Sequence, residues 1–418
     1  MTIQAIIALV ILLVAIFLFF TEIFPLPVTA MLVPIALSLT GILEPSEAFS
    51  YFGDRWVVIF MGMFIISSAM FKTGFASQIG DMTVKVAGNS KFGLMILVML
   101  VLGLMSALLS NTGATAVFVP VVVAVCLSSD RSPKTMLMPM AFASSLGGTL
   151  TVIGTPPNGI INSVLNESTK YSEFGFFEFG RVGIFLFIIG ILYMVLIGYK
   201  LLPDGVPEGS HGFSNNHSSE QLRSDKMWVG LLIFLFVVIS MATGIIDLQV
   251  AAMLGAMLTI VTGCLTIDEA FNSISWTTVF LFAGMLSMSQ AIEDTGAALL
   301  IANMIANVSV SPLIVLAVLF VTTALLTNFM SNTATAAVFA PIGITIAESI
   351  HVSPYPFLMA IAIASSCCFI TPIATPPNTI VLGPAGYSFK DYFKAGWPLQ
   401  LITFIVSMII IPIFFPFN

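Results

Sequence analysis

Charge is what this sequence has least of: Asp, Glu, Lys and Arg make up 8% of its 418 residues, against 58% hydrophobic residues. So little polar surface cannot cover a soluble globule, and the chain is expected in a bilayer. Its 13 basic residues form no tract and do not alternate with aromatics, so nothing in it suggests a nucleic-acid surface. Of its 4 cysteines, Cys126 and Cys264 stand alone in apolar runs and Cys367 and Cys368 are adjacent, a spacing that suits neither a zinc site nor a disulfide framework. Histidine is rarer still: His211 and His217 lie in a polar stretch and His351 beside an expected helix end, where solvated roles suffice. With no His-Glu-x-x-His and no paired intramembrane aspartates, the chain is read as a non-enzyme. The amino-terminal run from Ile3 to Phe20 has no basic residue ahead of it and closes on Thr21-Glu22, so it is expected to be a retained membrane helix rather than a signal peptide. Glu22, Glu293 and Asp294 fall at expected helix ends, where interfacial charge is ordinary.

What is abundant is apolar runs of membrane-crossing length. They begin near Ile3, Leu26, Trp56, Phe92, Met136 and Gly183, and again near Trp228, Leu248, Trp276, Pro312, Phe357 and Trp397. The longest polar stretch, 203–226, separates the two sets, giving a first repeat at 1–202, a linker and a second repeat at 227–418.

The halves match in detail. Ser110 to Pro120 (SNTGATAVFVP) and Ser331 to Pro341 (SNTATAAVFAP) agree at seven of eleven positions. Thr155-Pro156-Pro157-Asn158 begins 45 residues beyond Ser110, and Thr375-Pro376-Pro377-Asn378 begins 44 beyond Ser331. Neither arm around Ser-Asn-Thr is long beside the ~20 residues of a full crossing, so each pair of arms is expected to be a re-entrant hairpin. Five crossings plus one hairpin per half is an odd count, which turns the second half upside down. Alternating the segments puts Lys72, Lys85, Lys91, Arg131, Lys134, Lys200, Arg223, Lys226, Lys390 and Lys394 on one side and Arg55, Lys170 and Arg181 on the other. The richer side is expected to be cytoplasmic, with both termini outside.

The chemistry is expected where the backbone breaks. Each proline pair removes donors and frees carbonyls of the preceding turn, those of Gly154 and Ala374 among them. Freed carbonyls suit a hard cation such as sodium. Hydroxyls and amides of Ser110, Asn111 and Thr112, and of Ser331, Asn332 and Thr333, both donate and accept, and a helix amino terminus after each tip offers further amides to an oxyanion. Ser106 and Thr327, one turn earlier, add a hydroxyl under each tip. Close packing of small residues accounts for one Ser-Asn-Thr, but not for two copies at matched spacing from two helix breaks.

These four motifs resemble those of the divalent-anion/sodium symporter family, within the ion-transporter superfamily, over nearly the whole chain. The resemblance implies an all-α polytopic membrane protein of two inverted repeats, working as an elevator-type homodimer in the plasma (inner) membrane, with no cofactor beyond sodium as coupling ion. It implies one sodium held by Ser106, Ser110, Asn111 and the Gly154 carbonyl, and another by Thr327, Asn332 and the carbonyls of Met330 and Ala374. Substrate oxygens of a dicarboxylate, citrate or sulfate would meet Ser110, Asn111, Thr112, Ser331, Asn332 and Thr333, with Thr155 and Thr375 close by. Ile3 to Leu43 and Trp228 to Leu265 would be scaffold and dimer interface. The rival within transport is sodium-independent anion exchange. A proton antiporter or arsenite-type efflux permease fits less well, since neither hairpin and break region carries an acidic or basic residue away from its loop ends.

Overall fold

A computed structural model of the chain describes residues 3–21, 23–87, 90–128, 131–167, 170–203, 222–297 and 311–418. Among these every regular element is a helix. The first half runs α1 (Ile3–Thr21), α2 (Leu26–Leu39), α3 (Pro45–Ala48), α4 (Arg55–Lys72), α5 (Phe75–Ala87), α6 (Lys91–Ser106), α7 (Asn111–Ser128), α8 (Leu137–Gly148), α9 (Pro156–Glu167) and α10 (Gly180–Leu196). The second runs α11 (Met227–Thr243), α12 (Leu248–Val261), α13 (Ile267–Ser273), α14 (Trp276–Asp294), α15 (Pro312–Thr327), α16 (Asn332–Ser349), α17 (Tyr355–Ser366), α18 (Pro376–Ala385) and α19 (Phe389–Phe414).

Helix-turn-helix pairs stand at both places where a hairpin was expected. Their arms have the same lengths in each half, 16 residues in α6 and α15 and 18 in α7 and α16. The returning arm begins at Asn111, within the Ser-Asn-Thr motif, rather than at Ala114 where the apolar run resumes. Among the described residues four helical stretches are long and apolar enough to cross a membrane, Ile3–Thr21, Pro45–Lys72, Ser224–Thr243 and Phe389–Phe414, and α13 with α14 makes a fifth across a 52° bend. The runs near Met136 and Phe357 are broken as expected, into the half-helices α8 with α9 and α17 with α18: the first of each pair ends at Gly148 or Ser366, and the Pro-Pro opens the second. Helix α5 was not visible as an apolar run, because its Gln78, Asp81 and Lys85 interrupt the hydrophobic sequence. The residues at the matching place in the second half, like Glu22, His211, His217 and most of the 203–226 linker, lie outside the described residues.

Burial is inverted relative to a soluble protein. Leu13 and Phe17 of α1 and Trp228 and Leu232 of α11 point outward, each more than half exposed, while Ser106, Asn158, Thr327 and Asn378 are fully buried. That is the surface a helix bundle presents to lipid.

The helices sort into two groups. In one, α2 packs on α14, α4 on α12, and α1 and α11 flank them; in the other, α6 packs on α8, α15 on α17, α7 on α18 and α16 on α9. Ion pairs gather the loops into two sets that agree with the alternation of segments. Arg55 meets Glu173 at 3.4 Å and Asp247 at 2.8 Å, and Lys170 meets Glu348 at 3.0 Å. At the other set, Glu269 takes Arg223 at 2.6 Å and Lys72 at 3.8 Å.

Candidate functional site

The breaks keep their shape because an asparagine replaces the missing helix bonds. Asn158 Nδ2 donates to the Thr151 carbonyl (2.8 Å) and the Gly148 carbonyl (3.3 Å). Asn378 Nδ2 donates to the carbonyls of Thr371 and Cys368, both at 3.1 Å. The Thr151 hydroxyl then donates to the Ala107 carbonyl in the first hairpin turn, and Thr371 does the same to Asn328 (2.6 Å) in the second. In an apolar surround each such group left unpaired costs about 1–3 kcal/mol, so these bonds fix each break to its own hairpin tip.

The two tips and two breaks meet around one cavity of about 470 Å³, lined from the first half by Ser110, Asn111, Thr112, Gly154 and Thr155 and from the second by Asn332, Thr333 and Thr375. Ser106 and Thr327 sit behind this wall, both fully buried. Ser331 turns its hydroxyl to its own helix end, accepting from the Ala334 amide at 3.1 Å. Met330 and Ala374 are buried beside the second tip and break. Among the described residues, none that lines the cavity is acidic, basic or a histidine, so the polarity of the wall they form consists of hydroxyls, amides and helix ends.

The candidate ligand groups are arranged differently in the two halves. With its nitrogen turned toward them, the Asn111 amide donates to the carbonyls of Gly154 (3.0 Å) and Ser106 (3.2 Å). Turned the other way, its oxygen joins those two carbonyls as a third hard donor, a set suited to a small cation. The Ser106 hydroxyl shares a 2.7 Å hydrogen bond with Ser144, which donates to the Asn111 carbonyl (3.2 Å). A Cβ on Gly148 would stand 2.8 Å from the Asn111 side chain, and one on Gly154 would stand 2.4 Å from the Gly148 carbonyl, so the tip and the break approach as only glycine permits. In the second half those places hold Cys368 and Ala374. There the Asn332 oxygen accepts from the Thr333 amide at 2.9 Å, and Thr327 donates to the Ser365 carbonyl at 3.0 Å with the Cys368 thiol 3.5 Å away.

Sequence reasoning overlooked several residues of this wall. Ser145 and Ser366 line the cavity, as do Ser67 and Ser68 of α4 and Ser273, Ser275 and Thr278 around the α13 to α14 bend. Ser67 accepts from the Ser110 amide at 3.3 Å. The serine pairs Ser144-Ser145 and Ser365-Ser366, and Thr151 and Thr371, recur at the offset of the motifs, a signal that was legible.

Comparison with known proteins agrees with this architecture. A family model described as "Citrate transporter" matches residues 16–351 and 329–417. An Escherichia coli protein named as the uncharacterized transporter YfbS is 26% identical over 97% of this chain and 98% of its own length. The sodium-dependent dicarboxylate transporter SdcS of Staphylococcus saprophyticus is 24% identical over 94% of this chain and 82% of its own. Among solved structures, the Alcanivorax borkumensis YdaH transporter superposes with a TM-score of 0.67 at 16% identity, covering 90% of this chain and 87% of that one. Neisseria gonorrhoeae MtrF gives 0.62 at 16%, covering 91% and 84%. At that identity the likeness speaks to the fold. Motifs, architecture and family match agree: the chain is a multi-pass membrane transporter of the citrate-transporter family, in the divalent-anion/sodium symporter branch of the ion-transporter superfamily.

Proposed function

We propose that this transporter carries a small divalent anion, a dicarboxylate, citrate or sulfate, across the plasma membrane together with sodium. The observation that carries this reading is the convergence of both hairpin tips and both helix breaks on one cavity without a charged side chain. A dianion there meets only hydroxyls, amides and partial helix-end charge, and a membrane interior strongly disfavours uncompensated charge. Sodium ions bound beside it would complete the site. Ser106, Ser110, Asn111 and the Gly154 carbonyl would hold one, and Thr327, Asn332 and the carbonyls of Met330 and Ala374 the other. The anion would lie between them, against Ser110, Asn111, Thr112, Ser331, Asn332 and Thr333, with Thr155 and Thr375 at its flanks. The described residues of the wall include no titratable group, which favours sodium over a proton as the coupling ion.

The two packing groups supply the moving parts of this reading: α6 to α10 with α15 to α19 would travel as one block against α1, α2, α4, α11, α12 and α14, in a homodimer. The grouping of the loop ion pairs supports inverted repeats, and the basic bias supports a cytoplasmic linker with both termini outside.

Uptake of labelled succinate, citrate and sulfate into proteoliposomes, with an inward sodium gradient or with choline in its place, tests the proposal. Accumulation that needs sodium is expected. Equal exchange of internal for external anion without sodium would decide for the exchanger.

A further inference from the structure

Resting on that reading, we propose that Ser145 and Ser366 are substrate-binding residues that each hold one oxyanion end of the transported anion. Neither belongs to the hairpin or Pro-Pro motifs. Both are 2% exposed, both line the cavity, and the hydroxyl of each is without a hydrogen-bond partner.

A helical serine or threonine in an apolar environment ordinarily settles its hydroxyl on the carbonyl four residues back. Ser365 does this toward Ile361 (2.6 Å), Thr323 toward Leu319 (2.8 Å) and Thr345 toward Pro341 (2.9 Å). Ser145 and Ser366 belong to helices α8 and α17 and make no such bond. Their neighbours Ser144 and Ser365 have partners, so the unpartnered serine of each pair is the one that lines the cavity.

The same wall carries a second unsatisfied hydroxyl in each half, those of Thr155 and Thr375. Each half therefore offers two free donors, Ser145 with Thr155 and Ser366 with Thr375, and a carboxylate has two oxygens to receive them. Two such pairs related by the duplication fit an anion with two separated oxyanion groups. A single-centre anion such as sulfate engages both halves less completely.

The test is thermal stabilisation of purified protein by succinate and by sulfate at saturating sodium, together with succinate uptake. It compares wild type, Ser145→Ala, Ser366→Ala and the double variant, with Ser145→Cys and Ser366→Cys as near-isosteric substitutes should an alanine variant not fold. Each single substitution should raise the succinate KM about 10-fold and the pair about 100-fold, since well-separated contacts add. The sodium concentration for half-maximal rate at saturating succinate should stay within about 2-fold of wild type. Succinate stabilising wild type and variants alike, a shift in sodium dependence instead of succinate affinity, or sulfate stabilising as well as succinate and losing as much in each variant would overturn the assignment. If neither anion, nor citrate, stabilises even wild type, the anion-transport reading falls and takes this assignment with it.

Discussion

The two hairpin and break units are the same device built to different tolerances. Their frames are alike: Asn158 and Asn378 close the breaks onto carbonyls at matching positions, and Thr151 and Thr371 tie those breaks to the matching hairpin turns. Their ligand groups are not alike. Around Asn111 the chain is packed to the glycine limit, while around Asn332 the places of Gly148 and Gly154 are taken by Cys368 and Ala374 and the amide oxygen is engaged by its own neighbour. The bonds that hold the backbone are the same in both units, and those around the proposed ligand groups are not. The first half is expected to be the rigid, preorganised site and the second the adaptable one.

The sharpest way to break that comparison is Gly148→Ala. Its methyl would stand 2.8 Å from the Asn111 side chain and 3.1 Å from the Gly154 carbonyl. Overpacking there should cost about 1–3 kcal/mol and reduce uptake at least about 100-fold, whereas Cys368→Ala should stay within about 3-fold of wild type. Uptake per folded protein, with melting temperature as control, decides; equal losses would mean the halves are equally tight.

Next in size is the asparagine pair. Asn111→Ala removes an amide that reaches two carbonyls of its site and should lower uptake about 100-fold, and Asn332→Ala about 10-fold. A larger loss at Asn332 would reverse the ranking of the halves.

Smaller effects are expected one turn below the tips. Ser106→Ala and Thr327→Ala should each raise the sodium concentration for half-maximal uptake about 10-fold, because both hydroxyls are held by a hydrogen bond within the protein, to Ser144 and to the Ser365 carbonyl, and keep lone pairs for a cation. Sodium titrations at saturating anion read both, and no change in either would remove these hydroxyls from the cation sites.

The smallest difference is expected where the frames coincide. Asn158→Ala and Asn378→Ala should destabilise the protein equally, each by about 1–3 kcal/mol, since each orphans two buried carbonyls. Denaturation in detergent would detect an inequality, which would show that the frames too have diverged.

How much of this was legible follows from the same duplication. The hairpins and breaks could be read because each was written twice in polar letters within apolar text. Their convergence on one cavity was implied by the repeat but not located by it. Ser145 and Ser366 escaped because a serine in an apolar helix ordinarily returns its hydroxyl to the backbone, and only coordinates reveal one that does not. Helix α5 escaped because its polar face breaks up the run that marks a membrane segment. The difference between the halves was hidden for another reason: the Ser-Asn-Thr tips are identical, and the divergence lies at Gly148 against Cys368, outside both motifs.

Glycine also writes the mechanics of the molecule. Inside each packing group it lets backbone meet backbone: a Cβ on Gly147 would fall 2.1 Å from the Gly103 carbonyl oxygen, and one on Gly284 would fall 2.2 Å from that of Ala30. Such contacts behave as welds, because neither partner has a rotamer with which to yield. Between the groups the glycines face aromatic rings instead, Gly113 against Phe71 and Gly159 against Phe60, at 2.1 and 2.2 Å from the nearest ring carbon to a notional Cβ. A ring lying on a bare stretch of helix has no interlocking ridge and no directional bond to break. In the proposed travel of one block against the other those two phenylalanines would serve as a bearing, and a bulkier residue at either glycine would act as a brake.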